Sequence, residues 1–239
     1  MRIAIIGVPG LGVEKVRDMF HKNWNVYEYV KFPELDESKE DIESQESAEE
    51  EVIKFAEKNL QKIKEYTKFE DKVLFETIPL EWLLVAIREN EAGDFSDNGV
   101  RKLFEISNEA LKYLDCVYIV PKSKYNAIED TSVDQYIIDD MGQLYDMIIH
   151  SFNYGEPCPF FNLNDCPGFI EIFGSDEQKI EMFKLYLNEE GNLIDDNLQQ
   201  LFSPEQIAEG QRILEAELKN QKEAQKKEAF YKQLKQYKH

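Results

Sequence analysis

The stretch Gly7-Val-Pro-Gly10-Leu-Gly12-Val13-Glu14 spaces glycines as a phosphate-cradling loop does. In the pattern G-x-x-x-x-G-K-[ST], backbone N–H groups and a helix amino terminus face phosphate oxygens. The lysine meets the β- and γ-phosphates and the hydroxyl holds Mg²⁺. Here Val13 occupies the lysine position and Glu14 the hydroxyl position. Valine supplies no charge, and glutamate brings a carboxylate toward the anion. Lys15 comes one residue late, and a helix turns about 100° per residue, so its side chain is expected to point elsewhere. Gly7, Gly10 and Gly12 are thus candidate ligand-binding positions on a cradle that has lost its cations.

Two further places could contribute chemistry. Glu76 follows an apolar run at Val73–Phe75 and precedes Thr77-Ile-Pro79, at the carboxyl end of an expected strand. Gly174-Ser175 forms a turn before a helical pattern. Cys116, Cys158 and Cys166 are odd in number and lack CxxC spacing. That favours a reducing cytoplasm over a disulfide framework or a metal site. His21, His150 and His239 stand in no metal-ligand spacing either, so no metal-ligating residue is named.

The elements that must hold these residues alternate. Ile3, Ala4, Ile5 and Ile6 read as a buried strand, and Val13, Val16, Met19 and Phe20 as one face of a helix. Asn25–Val30 is a second strand, Val52–Tyr66 a helix, Lys72–Glu76 a strand, and Pro79 opens a helix that runs to about Asn90. A helix through Val100 and Leu111 follows, then a strand at Asp115–Pro121, a polar loop over 122–131, and a long helix carrying Val133, Tyr136 and Ile149. A last strand at Gly168–Phe173 and a helix to about Leu187 complete the series. The expected class is therefore α/β, a parallel sheet with helices on both faces, over residues 1–202. A long C-terminal helical extension follows over 203–239. Ligands of such sheets bind beyond the carboxyl ends of the strands.

The net charge of −20 disfavours nucleic acid and anionic membrane as partners of the body. No apolar run approaches the ~20 residues of a membrane span, and residues 1–6 read as a core strand rather than a leader. Residues 219–239 differ, with seven lysines against two glutamates. On that extension Leu214, Leu218, Phe230, Tyr231, Leu234 and Tyr237 form apolar patches suited to a protein partner or to self-association.

The order of these pieces resembles the P-loop nucleoside and nucleoside-monophosphate kinases, particularly the thymidylate- and deoxynucleotide-kinase-like proteins of bacteriophages. The resemblance spans roughly residues 1–190 and implies ATP with Mg²⁺ as cofactors. Its second motif reads Asp/Glu-Arg-Ser-Pro in that family. Glu76 and Pro79 match it, while Thr77 takes the arginine position. The family's lid offers arginines to the transferring group, whereas residues 122–134 hold Lys122 and Lys124, no arginine, and the acidic Glu129-Asp130. Gly174-Ser175 resembles the adenine-side loop. Phosphoryl transfer depends on charge neutralisation, and these departures all remove positive charge or a metal ligand from one edge. The leading expectation is a degenerate kinase-like domain kept as a binding or structural module, holding nucleotide weakly through the N–H groups of Gly10 and Gly12. One alternative is an active deoxynucleoside monophosphate kinase with Lys15 on the phosphates and Glu76 on Mg²⁺. Another is an assembly or virion protein that docks through its tail.

Overall fold

In the computed structural model, residues 1–32 and 48–194 are described, and residues 1–194 form one compact unit. The expected extension over 203–239, with its six named docking residues, lies outside the described residues. Among the described residues there are five strands: β1 (Arg2–Gly7), β2 (Glu28–Val30), β3 (Val73–Phe75), β4 (Cys116–Val120) and β5 (Gly168–Glu171). They pair in the order β2-β3-β1-β4-β5, every pair parallel. Around them lie α1 (Val13–Asn23), α2 (Ala48–Tyr66), α3 (Pro79–Ala92), α4 (Asp97–Leu111), α5 (Gln135–Tyr154) and α6 (Asp176–Lys184).

Successive side chains of a strand point to opposite faces, yet Ile3, Ala4, Ile5 and Ile6 are all fully buried. Both faces of the sheet are therefore covered, as the near-continuous apolar strands require. On one face Phe20 of α1 stacks on Trp24 at 5.0 Å and meets Phe183 of α6 edge-on at 4.9 Å. Tyr118 of β4 completes the cluster, 4.8 Å from Phe183. Beyond α6, the chain returns to this cluster. Trp24 Nε1–H donates to the Asn188 carbonyl at 2.8 Å, and the Tyr27 hydroxyl donates to the Gly191 carbonyl at 2.7 Å.

Local signals set the helix starts. Pro79 opens α3, Ser96 caps α4 by accepting from Gly99 N–H at 3.0 Å, and Ser175 caps α6 with Gln178 closing a capping box. Helix α2 begins four residues earlier than its apolar stripe suggests, because Glu49 to Glu51 in its first turn favour the amino end of the dipole. Helix α5 begins later than expected, at Gln135, which leaves Val133 in the preceding turn. The last strand also ends sooner, at Glu171, so Phe173 lies in the turn before α6.

Phe183 touches the rings of Phe20, Trp24 and Tyr118 and is fully buried. Phe183→Ala is expected to cost about 3–5 kcal/mol of stability, as large-to-small core changes do. Urea unfolding followed by circular dichroism checks this, with a lowered midpoint and an unchanged slope.

Candidate phosphate-binding site

The strand order turns back at β1: its chain partners β2 and β3 lie to one side, β4 to the other. At such a switch point the loops after neighbouring strands leave the sheet together, here the glycine loop after β1 and the lid over residues 121–134 after β4. Gly7 is fixed by this pairing rather than by a ligand. A Cβ added there would stand 2.5 Å from the Val120 carbonyl oxygen and 2.8 Å from its Cβ. Gly10 and Gly12 instead adopt left-handed backbone, φ +82° and +69°, where a side chain would be strained. Gly12 is the N-cap of α1, so that helix starts without a side-chain cap. The bare amino end is the part of the cradle that attracts an anion.

The lid lies directly on this cradle. Glu129 N–H and Asp130 N–H both donate to the Gly10 carbonyl, at 2.8 and 3.1 Å. Val133, placed by sequence on the long helix, lies beside Gly10 together with Ile138. The Glu129 carboxylate covers Gly12: a Cβ built there would be 2.6 Å from its Cδ and 3.1 Å from Oε1. Lys15 Nζ lies 3.2 Å from Glu129 Oε1 and 2.9 Å from Asp176 Oδ2, at the first residue of α6. Asp176 first and Glu129 second hold the Lys15 ammonium above its ordinary pKa. Both pairs are substantially exposed, so water and salt screen them. Lys15, expected to turn away, does reach the mouth of the loop, where it meets carboxylates of the chain itself.

The other basic residues of this edge are engaged elsewhere. Lys122 Nζ pairs with Asp139 at 2.7 Å, and Lys124 Nζ lies 4.8 Å over the Tyr125 ring. Glu14 at the hydroxyl position is exposed. Glu76 stands at the carboxyl end of β3, its carboxylate accepting from Phe32 N–H at 2.9 Å and from the Tyr29 hydroxyl at 3.5 Å. Burial, with Glu76 adding to it, pushes the Tyr29 hydroxyl up to about 12. Thr77, which takes the arginine position of the family motif, donates its hydroxyl to Glu81 at 2.7 Å. Gly174, with φ +98°, admits the Gln178 side chain, and the Ser175 hydroxyl donates to Glu177 at 2.8 Å.

Beneath the loop lies a polar pair that sequence reading did not single out. Arg17 of α1 is buried, donates from Nε to the Ile5 carbonyl at 2.8 Å, and faces Glu81 of α3 at 3.7 Å. Burial raises the Glu81 carboxyl pKa, while Arg17, the Thr77 hydroxyl and Ile78 N–H draw it down. The Tyr145 hydroxyl, pushed well above its usual value by burial and then by Glu81, sits against Gly7 N–H. The one available signal was Arg17 itself, a charge on the same helical face as Val13 and Phe20.

No protein-family model and no curated protein sequence matches the chain. Solved structures do: the fold is similar to that of deoxyadenosine kinase. Deoxyadenosine kinase from M. mycoides with the products dCMP and a flexible dCDP bound superposes with a TM-score of 0.55 at 16% identity. That match covers 77% of this chain and 97% of the kinase. The same kinase with bound dCTP gives a TM-score of 0.50 at 17% identity over 77% and 97% of the two chains. Its dATP complex also gives 0.50 at 17%, over 77% and 98%. The likeness is one of fold.

Glu81 generates a testable pH effect. Its folded pKa lies above the ordinary glutamate value, so the folded state holds the proton more tightly than the unfolded chain. The stability linked to that proton is full below the ordinary value of about 4.3 and is lost as pH rises through the folded value. Glu81→Gln is expected to flatten that part of the stability profile, read from urea midpoints between pH 4 and 7.

Proposed function

We propose that this chain is a catalytically degenerate nucleotide-kinase-like protein, a binding or structural module that keeps an anion cradle and has given up phosphoryl transfer. The single observation that carries this reading is the Glu129 carboxylate over Gly12, where a kinase needs positive charge. Val13 and Glu14 replace the lysine and the hydroxyl, and Lys122 and Lys124 have other contacts. Phosphoryl transfer is almost entirely positioning and charge stabilisation. Each missing group of this kind removes several kcal/mol of barrier lowering, roughly 10²–10³ in rate. Losses at several positions of one edge leave nucleotide binding through backbone N–H groups as the function the loop can still perform.

Lys15 supports a second reading. Its Nζ stands 3.2 Å from the carboxylate that covers the cradle, so a change of partner would bring an ammonium to an incoming phosphate. With Glu76 on Mg²⁺, that arrangement would make the chain an active deoxynucleoside monophosphate kinase.

Calorimetry with ATP and deoxynucleoside monophosphates, combined with a coupled ADP-release assay, separates the two. The expected outcome is weak nucleotide binding without turnover. Phosphate transfer near 1 s⁻¹, the low end of the ordinary kinase range of about 1–100 s⁻¹, would establish the second reading instead.

A further inference from the structure

We propose that Glu129 is a built-in anion: its carboxylate stands in for a phosphate over the amino end of α1, and with Lys15 and Asp176 it latches the lid, so that a phosphate ligand must displace it. The inference rests on the reading of Gly7–Gly12 as a retained anion cradle.

Separate contacts bring the lid onto the glycine loop. The amino end of α1 is capped by a glycine and offers its N–H dipole without a side-chain acceptor of its own. The Glu129 carboxylate fills the space over that glycine so closely that a Cβ at Gly12 would lie 2.6 Å from its Cδ. The lid backbone is held in register by two N–H groups on one acceptor, the Gly10 carbonyl. Lys15 gives one contact to Glu129 and one to Asp176, joining α1, lid and α6.

A carboxylate and a phosphate seek the same donors and repel each other, so the cradle holds one of them at a time. The Glu129 side chain is 36% exposed, and water can receive it when it leaves. Lys15 is then released from one oxygen anion and available to the next. The apparent affinity for ligand is the intrinsic affinity scaled by the fraction of molecules with the latch open.

The full chain and its Glu129→Ala, Glu129→Gln and Asp176→Asn variants test this. Binding of sodium tripolyphosphate and of MgATP is read by calorimetry, and lid opening by amide exchange over residues 128–131. Glu129→Ala is expected to bind both probes at least about tenfold more tightly than the parent, as removal of a mostly closed state would give. Glu129→Gln should gain less, since it removes charge but keeps bulk, and Asp176→Asn should also gain, by a smaller factor than Glu129→Ala, because it removes one latch group while the carboxylate remains over Gly12. Exchange over 128–131 should quicken in both Glu129 variants without ligand. Equal affinities in parent and Glu129 variants would overturn the latch and leave the binding reading standing. Unchanged amide exchange would also overturn it, whatever the affinities. Absence of binding by every variant would overturn the retained cradle, and the stand-in role with it.

Discussion

The parallel pairing of β1 with β4 is the constraint on which the site depends. Gly7 and Val120 approach so closely that a side chain at position 7 would collide with the β4 backbone. That contact sends the glycine loop and the lid out of the sheet side by side. The lid can then hydrogen-bond to Gly10 through two consecutive N–H groups, with no long excursion of the chain. Everything distinctive about this molecule's edge follows from what those adjacent loops carry.

What they carry at this edge is an ammonium held between two carboxylates. Transfer of a phosphoryl group needs cations gathered around the developing charge. Here the lid brings a carboxylate to the glycine loop, and the Lys15 ammonium is divided between that carboxylate and Asp176. The buried Arg17 supplies positive charge beneath the loop, but it is directed to the Ile5 carbonyl and Glu81. Glycine conformation and strand packing at the loop serve the fold whatever charge surrounds them.

Much of the fold was legible in the sequence because its signals are local. The apolar runs of β1 and β4, Pro79 at the start of α3 and Ser175 at the cap of α6 each act within a few residues. The five-stranded parallel sheet and its kinase-like fold followed from their alternation. The site was less legible because its partners are distant in the chain. Lys15 meets Glu129 across more than a hundred residues, and Arg17 finds Glu81 on another helix. Val133 misled for a related reason: its apolar character fits a helical stripe, but it is spent against Gly10 in the lid. The acidic lid was visible in sequence as a departure from the family pattern; only the structure places its carboxylate over Gly12.

The bonds from Trp24 and Tyr27 to the carbonyls of Asn188 and Gly191 join the ends of the described unit. On a ribosome, the chain emerges from its amino end, and loops of this span close late and at an entropic cost. The aromatic cluster at Phe20 lacks Phe183, and these two polar anchors, until synthesis has passed residue 191. The aromatic cluster beside α1 is therefore begun first and finished last, and its rings wait for Phe183 to cover them.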